Sequence, residues 1–305
     1  MHRIRPPRLH PGDRVAVVAA SGPVDRDKFE AGIEALSTRY QPVFDATSVY
    51  ARAGFLAGDD AHRLQALQKA IADPDTRAVF LARGGYGLTR IASSLDKGAL
   101  REHAKPIVGY SDVTALLTVC ANAGVAAVHG PMVSDLARLC DRDRASLVNL
   151  LENPAPGVIL SDLEAMVGGA ARGPLLGGNL EVLTRLLGTP LQPDFRGAVL
   201  FLEEVGELPY RVDRALTHLQ TAGVLDALAG IVVGDFTDCD EVENGEVKQP
   251  SAAEVVSERL GRLSVPVALG GVFGHGENKM SLPYGVTVEL DTEAGRLTAL
   301  EGAVS

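Results

Sequence analysis

Short apolar segments alternate with segments of helical periodicity in the first half of the chain, and this alternation restricts the fold more than any other feature. The apolar segments are residues 15–20, 78–82 and 106–109. Between them, apolar side chains recur at i, i+4 and i+7 in Phe29, Ile33 and Leu36 and at i, i+3 and i+7 in Leu64, Leu67 and Ile71. Buried strands that alternate with amphipathic helices are typical of a parallel sheet with helices on both faces. The sequence therefore predicts an α/β fold.

The alternation is interrupted between residues 141 and 174, where proline and glycine are frequent and no period is sustained. It resumes with a helical pattern at 180–187, and the later segments predicted as strands are 198–202, 230–234, 265–269, 286–290 and 296–300. Such an interruption is typical of a domain boundary. We therefore predict an N-terminal α/β domain over 1–140, a linker over 141–174 and a smaller C-terminal α/β domain over 175–305.

Charge and cysteine content exclude several classes of partner. The 305-residue chain has a formal net charge of −10 and a pI near 5.2, without the clustered lysine and arginine that nucleic-acid binding requires. Its three cysteines are widely spaced and suggest neither a zinc site nor a disulfide framework, which favours a reducing compartment. No segment approaches ~18 consecutive apolar residues. We expect a cytoplasmic protein with no membrane span, no metal and no cofactor.

Ser111 lies in the segment Ile-Val-Gly-Tyr-Ser-Asp, where a predicted strand passes directly into a predicted helix. A serine in such a turn presents its hydroxyl above the sheet, and the next backbone N–H points at a developing oxyanion. The G-x-S-x-G pattern is incomplete because Val113 replaces the second glycine. The local sequence alone favours the simpler interpretation, in which Ser111 is the N-cap of the helix.

A glycine-rich loop, Gly84-Gly85-Tyr86-Gly87, follows the preceding predicted strand. Three readings remain open: a tight turn, an anion site at a helix N-terminus, or a backbone N–H of Gly85 that serves as an oxyanion donor. Because the spacing matches neither dinucleotide-binding nor Walker patterns, a nucleotide site is not expected.

A serine nucleophile requires a base, and two of the seven histidines are candidates. His275 lies between two glycines after a predicted strand and is favoured, with His129 as the alternative. The orienting acid is either Glu203 or Glu204, which strand alternation places on opposite faces. Both carboxylates also allow a simpler interpretation, an ion pair with Arg211 or Arg214.

Several segments together resemble the LD-carboxypeptidases, a family of serine peptidases that includes murein tetrapeptide carboxypeptidases and microcin C immunity-type peptidases. They include Arg-Gly-Gly-Tyr-Gly, Val-Gly-Tyr-Ser-Asp and Gly-His-Gly, and they follow one another over nearly the whole chain. The matching segments are residues 12–22, 83–87, 108–112, 129–132, 177–180, 202–204, 209–214 and 274–276.

The resemblance implies a flavodoxin-like or amidotransferase-like N-terminal lobe, a smaller C-terminal α/β lobe and a homodimer. It also implies a catalytic triad of Ser111, His275 and Glu203, with the backbone N–H groups of Gly85 and Asp112 as oxyanion donors. The implied reaction releases terminal D-Ala from a muropeptide tetrapeptide at an L,D bond. Since the leaving residue ends in a carboxylate, a cation should bind it, and Arg83 beside the glycine loop is the candidate.

Three alternatives to a muropeptide carboxypeptidase remain. The microcin C branch of the family is expected to stack a nucleotide on tryptophan, and this chain contains none, which favours the muropeptide. A second alternative is a non-catalytic ligand-binding module on a similar scaffold. The third is a phosphate- or nucleotide-dependent enzyme.

Overall fold

The computed structural model describes residues 3–155, 157–243 and 245–305 of the chain. The strands are β1 (Arg14–Val18), β2 (Gln41–Val43), β3 (Ala78–Leu81), β4 (Ile107–Gly109), β5 (Ala127–His129), β6 (Val158–Leu160), β7 (Glu164–Val167), β8 (Ala170–Asn179), β9 (Val199–Val205), β10 (Gly230–Thr237), β11 (Val242–Glu243), β12 (Glu246–Val247), β13 (Val267–Leu269), β14 (Leu282–Tyr284), β15 (Thr287–Asp291) and β16 (Arg296–Ala299).

Helices occupy much of the remaining chain. They are α1 (Arg26–Ser37), α2 (Ala46–Val49), α3 (Asp60–Ala72), α4 (Leu88–Ile91), α5 (Lys97–Glu102), α6 (Thr114–Asn122), α7 (Val133–Leu136), α8 (Asp141–Glu152), α9 (Leu180–Arg185), α10 (Pro209–Thr221), α11 (Val224–Ala227) and α12 (Ala252–Leu260), with 3₁₀ turns at Ala92–Ser94 and Ser111–Val113. Within the described residues, no helix is both long and apolar enough to cross a membrane.

The chain forms two compact units. Unit 1 comprises Met1–Ala155, Met280–Gly285 and Gly302–Ser305, and the smaller unit 2 comprises Pro156–Lys279 and Val286–Glu301. Helix α8 lies in unit 1, where Leu147 and Leu151 are buried. Strands β6 and β7 lie in unit 2. All three elements fall within 141–174, the stretch predicted as a linker. The sequence analysis missed the 12-residue helix α8 and the short strands β6 and β7.

Unit 1 is built on a sheet with the order β14-β5-β4-β3-β1-β2, in which β14 alone pairs in the antiparallel direction. Strand β3 is buried throughout, as expected for a central strand covered on both faces. The carboxyl ends of β1, β3 and β4 are neighbours, so the turns that follow them, which begin near Ser21, Arg83 and Ser111, meet at one edge of the sheet.

Unit 2 contains a mixed sheet with the order β6-β16-β15-β8-β9-β10-β13-β7. Strands β8, β9, β10 and β13 are parallel, and the others pair in the antiparallel direction. The carboxyl end of β9 carries Glu203 and Glu204, and the chain leaves β13 into the glycine-rich segment around His275. The predicted α/β class of both units is confirmed.

Within unit 1, helix α1 packs against the start of α7 through a glycine. A Cβ atom added at Gly32 would lie 1.9 Å from the carbonyl oxygen of Val133, at the start of α7. The two backbones therefore approach more closely than any side chain permits.

We predict that Gly32→Ala destabilises unit 1, although alanine is the better helix former by about 1 kcal/mol. The clash with Val133 outweighs this propensity, and overpacking of this kind costs about 1–3 kcal/mol. A lower Tm in a thermal unfolding scan would show it. The control is Ala31→Gly at the exposed neighbouring position, which loses only the propensity difference. A Gly32→Ala protein as stable as the wild type would contradict the close packing.

Candidate active site

Ser111 lies at a sharp turn between β4 and α6 in unit 1. Its φ of 64° is in the left-handed region, which is rare for residues other than glycine and costs about 1–3 kcal/mol. A Cβ at Gly109 would lie 2.8 Å from Val113, so only glycine allows the chain to turn back on itself here. The valine in place of the second glycine of the G-x-S-x-G pattern is thus part of the turn.

The structure does not place Ser111 as the helix cap that the local sequence allowed. Tyr110 is the N-cap of the 3₁₀ turn, Val113 is the N-cap of α6, and neither makes a side-chain capping bond. Ser111 is instead the first residue of the 3₁₀ turn. Helix capping therefore does not explain the left-handed backbone of Ser111.

The glycine loop packs directly against the Ser111 side chain. A Cβ at Gly84 would lie 3.0 Å from Cβ and 3.1 Å from Oγ of Ser111, so a larger residue there would displace the hydroxyl. Gly85 has a φ of 109°, and the N–H of Gly22 donates to the Gly84 carbonyl at 3.0 Å. The loop is consequently held close to the nucleophile candidate on glycine backbone alone.

The carboxylate of Asp112 connects the turn at Ser111 to the residue that follows the glycine loop. The side chain is buried, and its Oδ2 accepts from the backbone N–H of Leu88 at 2.9 Å. Burial raises the pKa of Asp112, and the backbone donors Leu88 and Gly87 oppose that rise. The sequence analysis considered only the backbone N–H of Asp112. An acidic residue directly after the candidate nucleophile was the available signal for its second role.

A buried guanidinium, that of Arg63, packs against the glycine loop. Arg63 on α3 is fully buried, donates from Nη1 to the Ala20 carbonyl at 2.6 Å and pairs with Asp60. A Cβ at Gly87 would lie 2.6 Å from that Nη1. The sequence analysis missed Arg63, although an arginine four residues before the buried Leu67 lies on the apolar face of its helix.

Unit 2 contributes a histidine–carboxylate pair. Nδ1 of His275 donates to Oε2 of Glu203 at 2.6 Å, and the Glu203 carboxylate is fully buried. A Cβ at Gly274 would lie 2.7 Å from Cβ of Glu203, so the glycine before the histidine permits this approach. The imidazole is partly exposed, at 18% of its side-chain surface. Its orientation is therefore fixed at one nitrogen.

The adjacent glutamate has a different role. Glu204 accepts from Nδ2 of Asn179 at 2.7 Å, the N–H of Glu181 at 2.7 Å and the N–H of Val205 at 2.8 Å. These contacts join β9 to the start of α9. Burial nevertheless raises the pKa of Glu204 to about 7, because desolvation outweighs the three N–H donors.

The two glutamates thus point to opposite faces, as strand alternation predicts, and His275 contacts Glu203. Among the described residues, no ion pair joins either carboxylate to Arg211 or Arg214. Arg211 instead pairs with Glu207 at 3.3 Å, and the guanidinium of Arg214 lies 5.3 Å from the centroid of the Tyr210 ring.

The alternative base, His129, is a buried residue of β5 in unit 1. Its ring packs edge-on against Tyr110, with the ring centroids 5.8 Å apart.

Arg83, the predicted carboxylate ligand, is exposed, and its Nη1 donates to the Pro23 carbonyl at 2.6 Å. Among the described residues, no group of histidine, cysteine, aspartate or glutamate side chains could hold a metal ion.

The loop that carries His275 is held by Lys279, which the sequence analysis did not single out. Its Nζ donates to the carbonyls of Gly274 at 3.2 Å and Gly276 at 3.1 Å, on either side of the histidine. On the other side, a Cβ at Gly276 would lie 2.2 Å from Oδ2 of Asp235. The two glycines that flank His275 are therefore hydrogen-bonded to Lys279, and Gly276 is also packed closely against Asp235.

Two family models match most of the chain. The model of the LD-carboxypeptidase N-terminal domain matches residues 15–130, and that of the LD-carboxypeptidase C-terminal domain matches residues 172–290. The chain belongs to the LD-carboxypeptidase family. The family resemblance predicted from the sequence is thereby confirmed.

Relatives in the family cover nearly the whole chain. A Streptomyces coelicolor protein with a provisional carboxypeptidase name is 41% identical over 97% of this chain and 96% of its own. The murein tetrapeptide carboxypeptidase of Pseudomonas aeruginosa is 32% identical over 91% and 93%. The microcin C7 self-immunity protein MccF of Escherichia coli is 24% identical over 96% and 95%.

Solved structures show the same fold. The muramoyltetrapeptide carboxypeptidase from Oxalobacter formigenes has a TM-score of 0.81 and 30% identity, covering 93% of this chain and 97% of that one. MccF in complex with glutamyl sulfamoyl guanosine has a TM-score of 0.88 at 22% identity, covering 98% and 99%.

Glu204 should make stability pH-dependent. A glutamate in an unfolded chain has a pKa of about 4.3. Between that pH and about 7, Glu204 is therefore protonated in the folded protein and ionised in the unfolded chain. This contribution to stability is complete below the unfolded pKa and is lost as pH rises through about 7. We expect the Tm of the wild type to fall, relative to that of Glu204→Gln, between pH 5 and pH 8. Glu241→Gln, at an exposed position, is the control; parallel pH profiles for wild type and Glu204→Gln would contradict the raised pKa.

Lys279→Met should loosen the loop. Loss of two bonds from a charged donor is expected to speed amide hydrogen exchange at residues 274–276 by about tenfold, because local opening becomes easier. Lys279→Arg should retain slow exchange. Lys248→Met removes the same charge elsewhere in unit 2, where Lys248 pairs with Glu241 at 2.8 Å. Equal exchange in wild type and Lys279→Met would show that the two bonds do not restrain the loop.

Proposed function

We propose that this protein is a cytoplasmic serine carboxypeptidase that releases terminal D-Ala from a muropeptide tetrapeptide at an L,D bond, in murein recycling. The observation that carries the proposal is the 2.6 Å bond between Nδ1 of His275 and the fully buried Glu203. A carboxylate in that position fixes the imidazole tautomer and stabilises the imidazolium that forms during nucleophilic attack. The strained turn at Ser111 supplies the nucleophile candidate.

The proposed acylation step begins with attack of Ser111 Oγ on the scissile carbonyl carbon. Nε2 of His275 takes the hydroxyl proton, and the carbonyl oxygen becomes an oxyanion. The backbone N–H groups of Gly85 and Asp112 donate to that oxyanion; loss of one such donor typically slows a reaction by ~10²- to 10³-fold. The tetrahedral intermediate then collapses, and His275 gives its proton to the departing D-Ala nitrogen.

Deacylation reverses these roles. His275 takes a proton from water, the resulting hydroxide attacks the acyl carbon, and the proton returns to Ser111 Oγ as the free carboxylate of the tripeptide leaves. Glu203 orients the imidazole and stabilises the imidazolium. Arg83, an exposed cation beside the glycine loop, is proposed to bind the carboxylate of the leaving D-Ala.

The muropeptide is favoured over a microcin-type peptide–nucleotide by two observations. The murein tetrapeptide carboxypeptidase of Pseudomonas aeruginosa is 32% identical to this chain, and MccF is 24% identical. The chain also contains no tryptophan on which a nucleotide could stack. We further propose a homodimer, as the family resemblance suggests, and a reducing compartment, which the three free cysteines support.

The test is incubation of the protein with a free muropeptide tetrapeptide, followed by mass spectrometry for the loss of one alanine. Ser111→Ala should abolish release, and Glu203→Gln or His275→Ala should slow it by ~10³-fold or more, as in other triads. Glu241→Gln and His218→Ala, at exposed positions of unit 2, provide matched controls. Full activity in Glu203→Gln or His275→Ala would rule out the mechanism, and an inactive wild type would rule out the substrate.

A fluorophosphonate probe separates a peptidase from the alternative of a non-catalytic binding module. Stoichiometric labelling of the wild type, absent in Ser111→Ala, is expected of a serine nucleophile. A protein that is not labelled, and whose Tm shifts on addition of phosphate, would instead support the phosphate-dependent alternative.

A further inference from the structure

Two large aromatic side chains of unit 1 are exposed next to the glycine loop. Phe55 is 66% exposed and Tyr86 is 48% exposed. Their ring centroids lie 5.8 Å apart, with the planes inclined at 48°. We call this pair the aromatic platform. Adjacent exposed aromatic rings commonly mark a binding surface, because they leave apolar area in water that a ligand can cover.

Backbone hydrogen bonds hold the turn that carries Phe55. Ala53 and Leu56 exchange backbone hydrogen bonds of 2.9 and 3.1 Å around the turn that presents Phe55, and Leu56 is buried. The next residue, Ala57, donates from its N–H to the Ser21 carbonyl at 2.9 Å. Phe55 is therefore fixed at the tip of an anchored turn, so a ligand that covers its ring has little backbone to order.

The platform adjoins the proposed oxyanion donor. Tyr86 directly follows Gly85 in the chain, and a Cβ at Gly22 would lie 3.7 Å from both the Phe55 carbonyl oxygen and Cα of Gly85. The platform is therefore next to Gly85, whose N–H is the proposed donor to the scissile carbonyl oxygen.

We infer that the aromatic platform binds the side chain of the substrate residue that carries the scissile carbonyl, the diamino acid of the muropeptide, through its aliphatic stem. This inference rests on the proposed function. The D-Ala on the other side of the bond has only a methyl group, which is too short to cover two rings. A chain of three or four methylenes is long enough to lie along both.

The charges around the platform favour contact with the stem rather than with the cationic end. Arg90 lies close to Tyr86, and Asp60 holds it in a bidentate contact at 2.8 and 2.7 Å. Asp60, which also pairs with Arg63, is thus already committed to two arginines and not to a ligand ammonium. The stem therefore packs on the rings while the charged end stays in water, as lysine side chains do on protein surfaces.

The experiment compares three tetrapeptides that carry lysine, norleucine or alanine at the third position. In the wild type, kcat/KM for the lysine and norleucine peptides should agree within about threefold and exceed that for the alanine peptide by about tenfold or more, in line with burial of several methylenes. Phe55→Ala and Tyr86→Ala should each lower kcat/KM about tenfold for the two long side chains. For the alanine peptide both variants should stay within about twofold of wild type.

Two conservative variants and one surface control complete the design. Phe55→Tyr and Tyr86→Phe keep the rings and should retain the preference for long side chains. Leu300→Ala removes an exposed apolar side chain in unit 2 and should change none of the three rates. The Tm of each variant shows whether the turn remains folded.

Several outcomes would overturn the inference. An equal loss on all three peptides would assign the platform to another part of the substrate, or, if size-exclusion chromatography shows a changed oligomeric state, to a subunit contact. No loss on any peptide would leave the platform without a role in specificity. A wild type that cleaves the peptides while the variants fail these expectations overturns the platform alone, whereas a wild type that cleaves none overturns the proposed function as well.

Discussion

The hydrogen bond between His275 and the buried carboxylate of Glu203 is the interaction on which the chemistry of unit 2 depends. A carboxylate removed from water is costly unless a partner compensates, and here His275 is that partner. Its second oxygen, Oε1, has no hydrogen-bond partner among the described side chains and backbone groups. Because the buried carboxylate meets the ring at Nδ1, it fixes the orientation of the imidazole that the proposed mechanism requires.

Most of the fold could be predicted from periodicity, because the central strands are apolar throughout and the helices between them keep one apolar face. The short elements within 141–174 could not be predicted. Strands β6 and β7 have three and four residues and lie at the two edges of their sheet, so their identity depends on the pairing partner and not on their own sequence. Helix α8 has few apolar residues, and its first turn is charged.

The candidate site shows the same division. Ser111, Gly85 and His275 were identifiable because each lies at a recognisable change from strand to glycine-rich turn. The carboxylate of Asp112, the buried Arg63 and the ammonium of Lys279 were not, because each acts on backbone carbonyl or N–H groups that come near only after folding. Backbone partners leave no trace in the sequence, since every residue has them. Glu203 and Glu204 illustrate the limit: alternation separates them but does not choose between them. The family resemblance implied Glu203, and the structure shows its contact with the histidine.

The left-handed backbone of Ser111 restricts which side chains this position can accept. Threonine carries the same hydroxyl chemistry, but its branched Cβ makes a φ of 64° far less accessible than it is for serine. The glycine loop also packs against this side chain, since a Cβ at Gly84 would lie 3.0 Å from Cβ of Ser111. Replacement by threonine would therefore require rebuilding the turn and the glycine loop together. The backbone geometry of Ser111 therefore favours a small, unbranched side chain at this position of the chain.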